Sequence, residues 1–163
     1  MTVTHDPENG VRGDCFRCCI ASLLELPAQA VPHVMDYDWT VSEPGPGQWF
    51  KTLNDWLQQF DLTYLEFEFK PEQQWNWKAF DTSFNCYHTL SGQSPRAPHT
   101  VVAHNGEMVH DPHPNRAGLI GPNTDTGLYN YGFIIAQCKR VSKLTLLAVQ
   151  REWTGPFPKI TIV

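Results

Sequence analysis

The sequence predicts an α+β domain, and three observations carry that prediction. Helical periodicity comes first in the chain, over residues 15–25 and about 47–60. Strand-like alternation dominates from residue 86 onward. Asn105-Gly106 stands between two apolar runs, the strongest short signal for a β-hairpin. Helices early and antiparallel strands late give an α+β arrangement rather than an alternating α/β one.

The elements follow in order. Phe16, Cys19, Ile20, Leu23 and Leu24 fall at i, i+3, i+4, i+7 and i+8, one apolar helix face. Asp14 precedes that run and is placed to cap it, and Pro27 stops it. Trp49, Phe50, Leu53, Trp56, Leu57 and Phe60 form the apolar side of a second helix, which makes Trp49 and Trp56 core residues. Leu62–Phe69 alternates from Leu65 on and reads as a strand. Residues 71–85 are aromatic-rich and irregular. Tyr87–Leu90, His99–Ala103 and Glu107–His110 are strand candidates, the last two joined through His104-Asn105-Gly106. Residues 131–137 and 143–150 complete the strand set.

At 163 residues the chain suits one domain spanning 1–163. The prolines gather at joints, and Pro44-Gly45-Pro46-Gly47 is too close to the N-terminus to separate two domains. A 41% hydrophobic content with nine Phe, six Trp and five Tyr excludes a disordered chain. A net charge of −5, with no basic cluster longer than Lys139-Arg140, argues against a nucleic-acid surface. No apolar stretch nears the roughly 20 residues a bilayer requires, so no membrane partner is expected. The start of the chain, Met1–Asp6, lacks the basic and apolar regions of a signal peptide. A reducing cytoplasm is the expected compartment. Five cysteines, an odd number, then read as free thiols rather than a disulfide framework. Cys18, Cys19, Cys86 and Cys138 are expected to behave as small buried hydrophobes.

Chemistry concentrates at three positions. A thiol reacts as thiolate, which a helix N-terminus or a neighbouring imidazolium favours. Cys15 opens the first helix, His99 opens a strand, and Asp111 follows the partner strand of the same hairpin. The Asn105-Gly106 turn brings the two strand ends side by side, so Asp111 can hold the His99 ring in one tautomer. An acyl transfer also needs donors for a developing oxyanion. The Cys15 backbone N–H is one, and the amide of Asn9, six residues earlier, is a second.

These residues carry a resemblance. Asn9, five residues and then Cys15, with Asp14 directly before the thiol, resembles the Gln-(five residues)-Cys start of papain-like peptidases. The Asp-Cys pair opening a helix is most similar to the C39-type bacteriocin-processing branch and its non-exporter relatives. That branch sets its His at the start of a strand and its Asp in an Asp-Pro step after the next one. His99-Thr100-Val101-Val102 and Val109-His110-Asp111-Pro112 match both features. Small phage and bacterial proteins of this type share a Ser-Pro-Arg-Gly-like stretch, here Ser94-Pro95-Arg96-Ala97, and the segment His110–Pro114. The resemblance covers roughly residues 9–25 and 90–120.

It implies a papain-like (C39-like) fold with a nucleophile-bearing helix packed on an antiparallel sheet. It implies Cys15 as nucleophile, His99 as general base and then acid, Asp111 as orienting residue and Asn9 as oxyanion donor. Asn9 stands where the family has Gln. The implied activity is cleavage of a peptide, isopeptide or other amide bond in a peptide or protein substrate, with no metal or organic cofactor. Deamidation or transglutamination would use the same residues. A non-catalytic inhibitor on the same scaffold, acting in a host cytoplasm if phage-encoded, is a third reading. Trp75 and Trp77 are candidates to line the substrate groove, and Arg96 to bind a substrate carboxylate or remain a solvated loop residue.

A rival set of ligand types exists in His104, His110, Asp111 and His113, but its spacing matches no zinc signature. Cys15-Phe16-Arg17-Cys18 is formally a Cys-x-x-Cys run. A thioredoxin-like site would follow a first strand, and residues 1–14 show no strand pattern. The sequence leaves the oligomeric state open.

Overall fold

The computed structural model describes residues 14–34, 47–73 and 85–137. Within them the chain forms two helices and one five-stranded sheet in which every pairing is antiparallel. The helices are α1 (Asp14–Leu24) and α2 (Gln48–Leu57). The strands are β1 (Leu62–Phe69), β2 (Tyr87–Gln93), β3 (Pro98–His104), β4 (Glu107–His110) and β5 (Tyr129–Ala136), in the spatial order β1-β5-β2-β3-β4. The predicted α+β class therefore holds. The strand expected over 143–150 and most of the Pro44–Gly47 joint lie outside the described residues.

Several boundaries differ from the sequence reading, each for a local reason. Asp14 is the first residue of α1 rather than the residue before it. An acid in the first turn still complements the helix dipole. The far end of α1 is closed before Pro27 is reached. Leu26 N–H bonds the carbonyl of Ala21 at 2.9 Å and Glu25 N–H that of Ser22 at 3.4 Å, while Glu25 adopts a left-handed φ of 56°. This is the paired-bond ending usually built on glycine. α2 stops at Leu57, and Gln58–Phe60 tightens into a 3₁₀ turn. β2 runs on to Gln93, beyond the expected Leu90, because its partner β3 begins as early as Pro98.

The sheet alternates its side chains between two apolar clusters. On one face Tyr64 joins Phe16, Ile20 and Ala21 of α1 and Leu53 and Leu57 of α2. The rings of Phe16 and Tyr64 meet edge to face with centroids 5.6 Å apart. Trp49 and Trp56 pack against this cluster, so the aromatic side of α2 is a core face. On the other face Phe69, Tyr131 and Phe133 form a second cluster, against which the His88 ring stacks. α2 is also pinned along β1. The Asn54 side-chain carbonyl accepts the backbone N–H of Tyr64 at 2.7 Å, and its amide donates to the Tyr64 carbonyl at 3.2 Å.

One glycine is required by close approach. Gly132 of β5 pairs with Glu66 on one side and Thr89 on the other. The Tyr64 hydroxyl lies over it, shares a 2.9 Å hydrogen bond with Thr89 Oγ1 and donates to Glu66 Oε2 at 2.9 Å. A Cβ on residue 132 would overlap both hydroxyl oxygens. Gly132→Ala should therefore cost about 1–3 kcal/mol, the range for overpacking a filled site. Urea unfolding of the variant checks this; a loss within 0.5 kcal/mol, the ordinary scatter of neutral substitutions, contradicts the packing described.

Candidate active site

α1 carries three thiols within two turns, and their surroundings make them chemically unlike. Cys19 is fully buried, and its Sγ–H donates to the Thr100 carbonyl at 3.3 Å. Burial, above all, holds that thiol well above its ordinary pKa. Cys18 is also fully buried; burial and then the adjacent Asp14 carboxylate push its thiol up to about 12. Both therefore stay protonated at neutral pH. Cys15 is partly exposed in the first turn, where backbone N–H groups have no acceptor within the helix. All three are free cysteines, as is the half-buried Cys86.

His99 and Asp111 meet. His99 Nε2 lies 2.8 Å from Asp111 Oδ1, with side chains 9% and 1% exposed. Asp111 Oδ1 also accepts the His113 N–H at 2.8 Å, and Oδ2 accepts the Gly118 N–H at 2.9 Å. Burial would raise this carboxyl, but the His99 ring and the two backbone donors outweigh it and hold Asp111 below the usual carboxylate range. Burial likewise works against a charged His99. Cys15, as hydrogen-bond partner and counter-charge, and then Asp111 overcome it and hold the ring above the ordinary histidine value. The thiol, imidazole and carboxylate are thus brought together from α1, β3 and the segment after β4.

The hairpin turn alone would not achieve this. Asn105 and Gly106 both take left-handed φ, 53° and 77°, as a two-residue I′ turn demands. The turn pairs His104 with Glu107 and Ala103 with Met108. Continued unbroken, that register would set Asp111 opposite Thr100 and so on the face away from His99. The ladder is broken between Ala103 and Val102, and Val102 pairs with His110. Val109 is the extra residue of this bulge. The shift moves Asp111 level with Val101, which shares a face with His99 two residues away. The sequence reading attributed the adjacency to the turn; the bulge is what produces it.

The backbone donors to Asp111 were not singled out from the sequence. Acceptance of the His113 N–H by the carboxylate two residues earlier is an Asx turn, for which Asp111-Pro112-His113-Pro114 was the available signal. The His113 ring lies edge-on to His99 with centroids 6.2 Å apart, and its Nδ1 accepts the Asn115 N–H at 3.1 Å. On the flank of α1, Asp14 forms an ion pair with Arg17 and stands 3.7 Å from His33 Nε2.

Arg96 is exposed in the β2–β3 turn, three residues before His99. Its N–H and that of Ala97 donate to Ser94 Oγ, both at 3.3 Å. Asn9, Trp75 and Trp77 lie outside the described residues. Among the described residues no three His, Cys, Asp or Glu side chains group in a way that could hold a metal ion. No helix among them is long and apolar enough to cross a membrane. No family model, curated protein or solved structure matches this chain.

The two titration shifts give a stability signature. A raised His99 contributes stability that is complete below about pH 6.5 and disappears as pH rises through its folded value. A lowered Asp111 contributes above about pH 4 and is lost as pH falls through its own folded value. Wild type should therefore exceed His99→Gln in unfolding free energy by more at pH 5.5 than at pH 9. Denaturant titrations at the two pH values measure this, and an equal or inverted difference contradicts a charged, paired His99.

Proposed function

We propose that this protein is a thiol-dependent hydrolase of an amide bond, in a peptide or an isopeptide, working through Cys15, His99 and Asp111. The observation that carries the reading is the buried His99–Asp111 hydrogen bond together with the pull of Cys15 on the same ring. The resemblance of the Cys15, His99 and Asp111 segments to papain-like (C39-like) peptidases supports it from the sequence.

Each residue then has a defined task. Asp111 engages Nε2, which leaves Nδ1 of the ring for the thiol. Transfer of the Cys15 proton to Nδ1 gives a thiolate beside an imidazolium. The sulfur attacks the carbonyl carbon, and the C=O π electrons move to oxygen. The Cys15 N–H, in the first turn of α1 where helix geometry supplies no intrahelical acceptor, would receive that oxyanion. Collapse of the intermediate breaks the C–N bond while His99 gives its proton to the departing amine. Water then gives a proton to Nδ1 and attacks the thioester. Breaking the C–S bond releases the acid and restores the pair. Asp111 keeps one tautomer and stabilises the cation without exchanging a proton. Cys18 and Cys19, buried and protonated, stay out of the chemistry.

Alkylation by iodoacetamide with peptide mapping tests the reading. At pH 6 an ordinary thiol is about 0.3% thiolate. Cys15 should label at least about tenfold faster than such a thiol and slow by at least about tenfold in His99→Ala. Slow labelling that ignores the His99 substitution would sink the enzyme reading and favour a binding protein.

A further inference from the structure

Cys19 takes no part in the chemistry above, yet it is bonded to the strand that carries His99. Its Sγ–H donates to the Thr100 carbonyl at 3.3 Å, across 81 positions of the chain, and both residues are buried. Thr100 directly follows His99. On α1 Cys19 comes four residues after Cys15, so the two thiols stand one above the other on the same side of the helix. Burial keeps Cys19 protonated, and the charges of Cys15 and Asp111 both reach it. This neutral thiol therefore lies close to two of the three groups to which the chemistry is assigned.

The sheet explains why a donor is needed there. In an antiparallel ladder, pairs that exchange backbone hydrogen bonds alternate with pairs whose N–H and C=O point outward. The β2–β3 turn closes with the Ser94 N–H donating to the Ala97 carbonyl at 3.0 Å. From that bonded pair the alternation makes Gln93–Pro98 outward, Gly92–His99 bonded and Ser91–Thr100 outward. Gln93 conforms: its N–H donates to the Gly121 carbonyl and its own carbonyl accepts the Ile120 N–H, both away from β3. The Ser91 and Thr100 hydroxyls meet at 2.9 Å, as the closer side chains of an outward pair can. The Thr100 carbonyl is thus turned away from β2, off the other edge of β3. β4 does not cover that stretch, because its last pair is His110 with Val102, two residues short of Thr100. A buried carbonyl in that position needs a donor from outside the sheet, and Cys19 supplies it. This bond ties α1 to the edge of β3, one residue from His99 and one helical turn from Cys15.

We propose that Cys19 is a positioning residue of the Cys15–His99 centre: its hydrogen bond to the Thr100 carbonyl sets the separation of α1 and β3 at which the Cys15 thiol and the His99 ring meet. The proposal rests on the thiol-hydrolase reading and adds to it the contact that holds the reacting pair in place. A hydrogen-bonded pair weakens steeply with distance and angle, so a helix released from the strand loses it.

The test is the pH profile of Cys15 alkylation by iodoacetamide in the full chain, with peptide mapping to isolate Cys15 from the other thiols. Cys19→Val keeps a small apolar group and removes the donor. It should slow labelling of Cys15 at pH 6 by about fivefold or more, the weight of one hydrogen bond, and move the midpoint of the profile toward that of an ordinary thiol. Cys19→Ser, which keeps a donor, should label at least about twofold faster than Cys19→Val. Cys19→Ala removes the donor without adding bulk, and it carries the same expectation as valine if the valine variant does not fold. Ile20→Val trims the same helix within the Tyr64 cluster; it should lower stability and leave the profile unmoved. A donor-free variant with the wild-type profile, a serine variant no faster than the donor-free one, or an Ile20→Val profile displaced as far as theirs overturns the positioning role. Fast wild-type labelling that depends on His99 but ignores Cys19 removes that role alone. Slow wild-type labelling independent of His99 removes the hydrolase reading with it.

Discussion

A buried histidine–carboxylate hydrogen bond constrains the rest of this structure. Once His99 and Asp111 are removed from water, each must be satisfied by the protein, because a buried charge or donor left unpaired costs several kcal/mol. Asp111 meets that demand with three donors, from the His99 ring, the His113 N–H and the Gly118 N–H. Each donor imposes a shape on the chain. The His113 bond bends the segment after β4 into an Asx turn. The Gly118 bond draws the loop back over the carboxylate, where Gly118 sits at a left-handed φ of 67° against Met108. The His99 bond requires the bulge at Val109, since an unbroken ladder would turn Asp111 to the wrong face. The tight Asn105-Gly106 turn supplies the register from which that single displacement is counted.

The same economy of position separates the three thiols of α1. They share a helix and lie within two turns of it, yet of the three only Cys15 has both solvent access and an imidazole partner. Cys19 is committed to the Thr100 carbonyl and Cys18 to the Asp14 carboxylate. What separates them is their surroundings and not their residue type. The core beneath supports this by fixing α1 through Phe16 and Ile20 against Tyr64 and α2. Tyr64 in turn reaches across Gly132 to Thr89 and Glu66, so one ring links the apolar core to polar side chains of β1 and β2.

Much of this was legible in the chain. Period-3.6 patterning located α1 and α2, and alternation located β1, because both signals come directly from which side chains must leave water. Asn105-Gly106 fixed the β3–β4 hairpin, since few residue pairs accept two left-handed conformations in succession. The meeting of Cys15, His99 and Asp111 was legible because a thiol opening a helix and an imidazole and a carboxylate at the ends of one hairpin are groups that a fold can bring together. Other features left no sequence mark. The bulge falls at Val109 in Glu-Met-Val-His, where no glycine announces it, and its cause is the tertiary demand of Asp111. The end of α1 uses Glu25 where a glycine is usual, so composition pointed to Pro27 instead. Glu66 reads as one polar residue in an alternating strand; its hydrogen bond to Asn130 emerges only when β5 is set beside β1. Asn9, Trp75 and Trp77 belong to segments outside the described residues, and the sequence remains their only warrant.

The central claim is that Cys15, His99 and Asp111 form one coupled unit. Its most direct measurement is a ¹⁵N NMR titration of the His99 ring in wild type, Cys15→Ser and Asp111→Asn. Coupling predicts a ring that holds its proton above the ordinary histidine range in wild type and loses it at lower pH in each variant, because either substitution removes a negative partner while burial persists. It also predicts a protonated Nε2 in the neutral ring, facing Asp111. A His99 titration that is the same in all three proteins, or a neutral ring protonated at Nδ1, would contradict the account.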